Sequence, residues 1–411
     1  MGVKNNNKGP LAGITVVEFT SVVLGPLACQ ILGDMGADVI KVEPPYGDTN
    51  RRLGPYKTNA DMAALYLTCN RNKKSIVLNL KDPKGHEAAL KLCEQADVIV
   101  HNFRPSAMVK LRLDYDTVRA ANPSVIYCAT YGYSKKGSYG DMGALDDSIQ
   151  AASGLAHLMY MCDSEFRDDA EPRYLPTVVG DKTTGNNVAQ AVLAALFHRE
   201  RTGEGQDIEV PMLESMVAFN MVEHLWGQTF EPPLAPAGYP RLLAETRKPY
   251  KTKDGYLAVL PYWDNHWGTF CKVAEVPQLA EDDRFTNMQA RTKNIVPLCD
   301  EIGKALARKT TARWLEILGA TNVPHMIMNT LGGVIEDKHL VESGFWQIHD
   351  HPTEGKLRMA SPPINFSKTP SSVRRLPPRL GEHSAEILQS LGYSDAEIQT
   401  MMDNNISKEM T

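Results

Sequence analysis

A glycine–aspartate pair, Gly180–Asp181, stands at the start of a segment with helical periodicity that extends to about residue 201. The aspartate has two interpretations. As a helix N-cap, its side chain would accept the backbone N–H of Thr183 or Thr184. As a nucleophile, its carboxylate is already ionised at neutral pH, and the preceding glycine lets a ligand approach the backbone closely. The residues by themselves leave both interpretations open.

Other catalytic chemistries lack their sequence patterns. The eleven histidines include no H-E-x-x-H and no cluster with cysteine, so we predict no metal site. The seven cysteines are dispersed without a C-x-x-C pair, which is typical of reduced, buried thiols. A G-x-S-x-G nucleophile elbow is missing. The first strand–helix turn carries Gly25, Gly33 and Gly36, which is not the G-x-G-x-x-G spacing of NAD-binding turns.

Short apolar segments alternate with helical ones through the first half of the chain. We predict strands at 13–20, 38–43, 75–80, 97–103, 124–133 and 207–213. Such alternation favours an α/β fold with a large, doubly wound parallel-sheet domain. Two basic loops, 48–52 and 71–74, lie near strand ends, where they either bind phosphates or are simply solvated.

The composition changes after about residue 225. The segments 226–239 and 358–383 are rich in proline and are predicted to be extended linkers. We expect the large domain to span 1–225 and to be completed by 346–411, with a smaller α+β domain over 240–345. A capping box, Ser394–Glu397, predicts a last short helix.

Charge and hydropathy narrow the expected partners and location. The net charge of −5 provides no general basic field for nucleic acid. The sequence has no run of about 18 apolar residues, so we expect no membrane-spanning helix. The N-terminus lacks the apolar stretch of a signal peptide, so we expect a cytoplasmic protein that contacts neither nucleic acid nor membrane.

Several stretches occur in unbroken order along nearly the whole chain, among them LAGITVVEFTSVVLGPLACQILGDMGADVIKVEPPYGD, CNRNKKSIVLNLK, HNFRPSAMVKLRLDYDTVRAANPSVIYCATYGY, GDKTTGNNVAQAVLAALFHRERTGEGQ and FSKTPSSVRRLPPRLGEHSAEIL. Taken together, they resemble the class III CoA-transferases. That group includes formyl-CoA:oxalate and carnitine CoA-transferases, and α-methylacyl-CoA racemase is a relative.

The resemblance implies reversible transfer of CoA between an acyl-CoA thioester and a free, small carboxylic acid, for example a dicarboxylate. Asp181 would be the nucleophile, passing through a mixed anhydride and an aspartyl-CoA thioester. The implied CoA contacts are Arg52, Arg71, Asn72, Lys74, Asn102 and Lys110. The resemblance also implies no cofactor beyond the CoA thioester, and an interlocked homodimer of two threaded chains.

Two departures from the family pattern bear on the reaction. Racemase-type members resemble GHDIN where this chain has ALDDS, which puts Leu145 in place of the racemase histidine. Without that base, CoA transfer is favoured over proton exchange at the α-carbon. The run of glycines that formyl-CoA-type members carry before the PYKTKDG stretch is also absent. An isomerase of the racemase type and a non-catalytic acyl-CoA-binding protein remain as alternatives, although the Gly180–Asp181 pair argues against the second.

Overall fold

A computed structural model describes residues 9–164 and 169–409. The chain forms two compact units. The first comprises the described residues of Met1–Ser153, Leu175–Phe219 and Glu342–Thr411, and the second those of Gly154–Tyr174 and Asn220–Val341. The described residues of 154–174 therefore group with the second unit, whereas the sequence-based boundaries include this segment in the large domain.

The secondary structure alternates between strands and helices in the first half of the chain and is mostly helical in the second. The strands are β1 Thr15–Phe19, β2 Asp38–Glu43, β3 Lys73–Val77, β4 Val98–His101, β5 Ile126–Tyr131, β6 Gln206–Pro211, β7 Tyr250–Lys251, β8 Tyr256–Val259, β9 His325–Ile327, β10 Trp346–His351 and β11 Gly355–Ala360. The helices are α1 Leu24–Asp34, α2 Ala64–Cys69, α3 Pro83–Gln95, α4 Pro105–Lys110, α5 Tyr115–Ala121, α6 Asp146–Ala152, α7 Leu155–Ser164, α8 Val179–Thr202, α9 Met212–His224, α10 Pro240–Leu243, α11 Asp264–Val273, α12 Met288–Lys293, α13 Ile295–Leu306, α14 Thr311–Gly319, α15 Leu331–Glu336, α16 Lys338–Glu342, α17 Ser384–Ser390 and α18 Asp395–Asp403.

A six-stranded parallel sheet in the order β3-β2-β1-β4-β5-β6 organises the first unit. All six strands were predicted from the sequence, and the α/β class is confirmed. The central strand β1 pairs with β2 on one side and β4 on the other, so Val17 lies opposite both Ile40 and Ile99. The direction of chain progression reverses between β1 and β4. In sheets of this type, ligands bind beyond the carboxyl ends of the strands at such a reversal.

Buried charges connect strands β1, β2 and β3. Glu18 contacts Lys41 at 3.0 Å and Lys73 at 2.8 Å, and all three side chains are fully buried. Burial alone would raise the pKa of Glu18, but the two lysines reverse that effect and the pKa is lowered. Lys41 also contacts Asp48 at 3.0 Å. These ion pairs tie the loop after β2 to the centre of the sheet.

The second unit has its own small sheet and core. Strands β7, β8 and β9 form an antiparallel sheet in that order. Trp267, Phe270, Phe285 and Trp314 are almost completely buried in one apolar cluster with residues of β8, α11, α13 and α14. The predicted small domain over 240–345 contains both strands, such as β8, and helices, such as α13 and α14.

The C-terminal part of the first unit contains a β-hairpin and the last two helices, α17 and α18. Strands β10 and β11 form an antiparallel hairpin, and residues 358–360 of the predicted linker belong to β11. The predicted capping box is present: Ser394 donates its backbone N–H to Glu397 Oε2 at 2.9 Å at the start of α18.

Candidate active site

Asp181 does not cap the helix that contains it. Helix α8 begins at Val179 with Val178 as its N-cap, so Asp181 is the third helical residue. Neither Thr183 nor Thr184 donates its backbone N–H to the Asp181 carboxylate, and no other described residue donates a hydrogen bond to it. The side chain is nevertheless only 9% exposed. The N-cap interpretation is therefore wrong, and hydrogen bonds within its own helix do not explain why an aspartate occupies this position.

A second carboxylate, that of Asp146, lies against the backbone of Asp181. Asp146 is the first residue of α6 and accepts the Asp181 N–H at 2.9 Å and the Gln150 amide at 2.7 Å. A Cβ at Gly180 would lie 3.0 Å from Asp146 Oδ1, so the glycine makes room for this carboxylate. The sequence suggested that Gly180 admits a ligand, but the structure places Asp146 there.

The environment of Asp181 opposes its ionisation. Burial raises the pKa of Asp181, and the negative charge of Asp146 raises it further, to about 7. The helix dipole acts in the opposite direction, because the partial positive charge at the N-terminus of α8 favours the carboxylate form of Asp181. Strongly shifted pKa values in a cleft are typical of catalytic groups. Near neutral pH, Asp181 is therefore poised between its acid form and the form that can attack a carbonyl.

This pKa predicts a pH dependence that Asp146 controls. The nucleophile interpretation of Asp181 predicts that kcat/KM for an acyl-CoA donor rises with pH through about 7, because an aspartate acts as a nucleophile only in its ionised form. Asp146→Asn keeps an oxygen that can accept the Asp181 N–H but removes the charge, so the rise should move to lower pH. Asp147→Asn, an exposed neighbour, is the matched control and should behave as wild type. An Asp146→Asn profile identical to that of wild type would contradict this role.

A cavity of about 200 Å³ opens beside Asp181, and we call it the Asp181 cavity. Its walls come from the turn after β1, the loop after β4, the end of β5, the loop before α6 and the first turn of α8. The predicted CoA contact Asn102 lines it, with its amide bridging the backbone N–H and carbonyl of Ser21 at 3.1 and 2.8 Å. Leu145 also lines it and is 71% exposed. The structure thus brings together Asp181, Asn102 and the position of the racemase histidine.

The turn after β1 holds a residue in an uncommon conformation. Val22 has a φ of 70°, which is strained for a β-branched side chain. Its N–H donates to Asp48 Oδ1 at 3.2 Å, and its carbonyl accepts a hydrogen bond from Asn50. Asp48 in turn contacts the buried Lys41. The wall of the Asp181 cavity is therefore held by the buried charges of the sheet, a link that no local sequence pattern reveals.

A larger cavity of about 580 Å³ lies beyond the carboxyl ends of β1, β2 and β3, and we call it the loop cavity. Ser21 lines both cavities. Lys110, a predicted CoA contact, lies between Ala107 and Leu111, which both line the loop cavity. Arg52 follows the loop after β2 and binds the backbone carbonyl of Tyr46 at 2.9 Å. Arg52 and Lys110 are thus adjacent in sequence to segments that line this cavity.

The other three predicted CoA contacts hold protein segments together. Arg71 is buried and binds Asp34 with distances of 2.9 and 2.7 Å. Asn72 donates to Asp34 at 2.7 Å and to the carbonyl of Ser372 at 2.8 Å. Lys74 pairs with Glu386 at 2.6 Å. None of the three lines the Asp181 cavity or the loop cavity. Their contact with CoA stays a prediction.

A family model described as CoA-transferase family III matches residues 11–384. The chain belongs to this family. It is 32% identical to human succinyl-CoA:glutarate CoA-transferase over 98% of this chain and 90% of the relative. It is also 30% identical to formyl-CoA:oxalate CoA-transferase of Escherichia coli O81, over 96% of this chain and 99% of the relative. The resemblance inferred from the sequence motifs is confirmed, and the protein is a family III CoA-transferase.

Solved structures of similar proteins share the fold of this family III chain. The crystal structure of Rv3272 from Mycobacterium tuberculosis, in an orthorhombic form, is 31% identical, with a TM-score of 0.80 over 92% of this chain and 99% of that chain. A CAIB/BAIF family protein from Brucella suis is 29% identical, with a TM-score of 0.78 over 94% of this chain and 100% of that chain.

Within residues 9–164 and 169–409, no three or more side chains of His, Cys, Asp or Glu are grouped so as to hold a metal ion. Among the described helices, none combines the length and the apolar character that crossing a membrane requires.

Proposed function

We propose that Asp181 carries CoA between an acyl-CoA thioester and a small free carboxylic acid, with no cofactor beyond the thioester itself. The observation that carries this proposal is the buried, donor-free carboxylate with its pKa raised to about 7, at the wall of a cavity in a family III CoA-transferase. A carboxylate is a weak nucleophile in water. Desolvation makes it more reactive, and correct positioning of the bound substrate removes much of the entropic cost of attack.

The transfer needs four displacements and no redox step. An Asp181 oxygen attacks the thioester carbonyl carbon, and the C–S bond breaks to leave a mixed anhydride and CoA thiolate. The thiolate attacks the Asp181 carbonyl carbon, which forms an aspartyl-CoA thioester and releases the first acid. The second acid then attacks this thioester and expels CoA thiolate as a new mixed anhydride forms. The thiolate attacks the new acyl group and regenerates the Asp181 carboxylate.

The cavities suggest how CoA would lie. We propose that the nucleotide end occupies the loop cavity and that the thiol end passes Ser21 to reach Asp181. Lys110 would then meet phosphate groups as an exposed cation beside the loop cavity. Asn102 would support the path indirectly, because its side chain is committed to the backbone of Ser21. This arrangement follows the general preference for ligands at the reversal point of such a sheet.

A panel of acyl-CoA donors and carboxylic acids in deuterium oxide tests the function directly. We expect mass spectrometry of the products to show new acyl-CoA species that depend on both substrates. We also expect no deuterium at the α-carbon of a 2-methylacyl-CoA, because Leu145 offers no base. Deuterium incorporation without transfer would instead show the racemase-like isomerase. CoA binding without either reaction would indicate a non-catalytic acyl-CoA-binding protein.

We further propose a homodimer whose two chains interlock. The extended segment after β11 and the proline-rich stretch 226–239 suit long connections of this kind. Threaded chains cannot separate without unfolding, so light scattering should give about twice the single-chain mass of 45.5 kDa at every dilution. A species with the single-chain mass in native buffer would contradict the interlocked arrangement.

A further inference from the structure

Gln150 is buried between Asp146 and the chain that leads into α8. It lies on α6, four residues after Asp146, and is only 1% exposed. Its amide nitrogen donates to Asp146 Oδ2 at 2.7 Å and to the Thr177 carbonyl at 3.1 Å, and its amide oxygen accepts the Leu175 N–H at 2.8 Å. Gln150 lines neither the Asp181 cavity nor the loop cavity. Any effect on the reaction must therefore pass through the groups that it holds.

The partners of Gln150 fix the orientation of its amide. The amide nitrogen faces the acceptor oxygens of Asp146 and Thr177, whereas the amide oxygen faces the N–H of Leu175. A flipped amide would place its oxygen against the Asp146 carboxylate and its NH₂ group against an N–H. Only one orientation therefore satisfies these neighbours, and the side chain is a rigid link between α6 and the segment that precedes α8.

Two routes lead from Gln150 to the nucleophile. In the first, Asp146 Oδ2 accepts the Gln150 amide while Asp146 Oδ1 accepts the Asp181 N–H at 2.9 Å, so this carboxylate is held from both sides. In the second, the backbone that Gln150 binds at Thr177 reaches Asp181 four residues later, in the first turn of α8. Gln150 is thus tied both to the charge beside Asp181 and to the chain that carries it.

The charge of Asp146 is the one that a change at Gln150 would move. Burial and then the charge of Asp146 raise the pKa of Asp181. Lys182, the next residue on α8, donates to Thr177 Oγ1 at 2.6 Å. The other charged side chains on the elements around the start of α8 are the exposed Asp147 on α6, Arg104 in the wall of the Asp181 cavity, Asp34 on α1, and Asp207 and Glu209 on β6.

We propose that Gln150 is a positioning residue for CoA transfer, which holds the Asp146 carboxylate against the Asp181 backbone and fixes the chain that enters α8. The inference rests on the proposed function, because it takes Asp181 as the nucleophile. Nucleophilic attack is sensitive to small displacements of the attacking group. Since Gln150 lies outside both cavities, it should govern kcat and the pH dependence of the reaction but not KM for the acyl-CoA.

The pH profile of kcat/KM tests this role, measured with the donor and acid that transfer CoA fastest in the panel. Gln150→Met keeps the length of the side chain and removes its hydrogen bonds. We expect the midpoint of the rise to fall by roughly 1 pH unit, because the Asp146 charge is no longer held beside Asp181. We also expect kcat on the plateau to fall at least about 10-fold, with KM within about twofold of wild type.

Gln389→Met is the matched control. Gln389 also donates its amide to a carboxylate, that of Asp395 at 2.9 Å, but it is exposed on α17. This variant should keep the wild-type midpoint, kcat and KM.

The double variant Asp146→Asn/Gln150→Met separates positioning from a general loss of structure. If Gln150 acts on the ionisation of Asp181 through Asp146, the double variant should have the same midpoint as Asp146→Asn alone. A Gln150→Met midpoint equal to that of wild type, or a further shift in the double variant, would overturn the proposal while CoA transfer itself stands.

If Gln150→Met does not fold, Gln150→Glu decides. A protonated glutamate can donate to Asp146 and accept the Leu175 N–H as the amide does, whereas an ionised one places two carboxylates face to face. We expect its activity to fall again at alkaline pH, in a range where circular dichroism still shows a folded protein. A plateau like that of wild type would overturn the role of Gln150. No transfer by wild type with any acid of the panel would instead overturn the proposed function, and this inference with it.

Discussion

Asp181→Asn is expected to reduce CoA transfer by at least about 10⁴-fold while the fold stays intact. A neutral amide cannot form the anhydride, so every later step is lost. The same change should stabilise the protein. Asp181 has its pKa raised from 3.8 to about 7, so the folded state holds a proton that the unfolded state releases in that interval. Ionised Asp181 therefore costs stability, and the cost grows as pH rises from about 4 to 7.

The two effects separate a nucleophile from a structural residue. Chemical denaturation should show Asp181→Asn to be more stable than wild type above pH 7, by up to about 4 kcal/mol, with the difference shrinking toward pH 4. The variant should still bind CoA, because the proposed CoA path does not depend on its charge. Near-normal turnover, or a variant less stable than wild type at pH 8, would contradict the role derived for Asp181.

Glu18→Gln should also have a large effect: we expect it to lower the free energy of unfolding by roughly 3–5 kcal/mol. The substitution keeps the shape of the side chain but removes the anion between Lys41 and Lys73, both fully buried. Lys41 keeps Asp48, whereas Lys73 keeps only the neutral Asn70 side chain at 2.9 Å and a backbone carbonyl. The Lys73 ammonium would then be buried without a counter-charge, and this lowers the stability of the folded state. Urea denaturation followed by circular dichroism measures it.

Glu301→Gln is the matched control for this prediction. Glu301 pairs with Lys304 at 2.7 Å on the surface of α13, where solvent screens the charges. We expect the denaturation midpoint of this variant to match that of wild type. If Glu18→Gln also left the denaturation midpoint unchanged, the buried charges would not be what holds the turn and the loop that form the cavity walls.

The strands of the parallel sheet were predictable because the residues of each strand form a recognisable apolar pattern without reference to the rest of the chain. Strands β4 and β5 are buried along their whole length, and central parallel strands of this kind are continuous apolar runs rich in β-branched residues. The hairpin of β10 and β11 was not predicted. Its residues alternate between half-buried and exposed, and polar side chains such as those of His349 and Asp350 conceal the strand pattern.

The site was only partly predictable, because its key contacts join distant parts of the chain. The Gly180–Asp181 pair was found from its place before a helix and from the family resemblance. Its partner Asp146 is 35 residues away in sequence, and only the packing of α6 against the start of α8 brings it there. A local signal for the buried charges did exist. Glu18 and Lys41 each have apolar neighbours on both sides within their strand, and charged residues of this kind are rarely buried without a partner.

Trapping of the covalent intermediate tests the nucleophile most directly. Enzyme incubated with acyl-CoA and then with hydroxylamine should yield a hydroxamate on the peptide that contains Asp181, detected by mass spectrometry. Enzyme without acyl-CoA, and the Asp181→Asn variant with it, should yield none. A hydroxamate on another residue, or full transfer activity with an unmodified Asp181 peptide, would contradict covalent catalysis by Asp181.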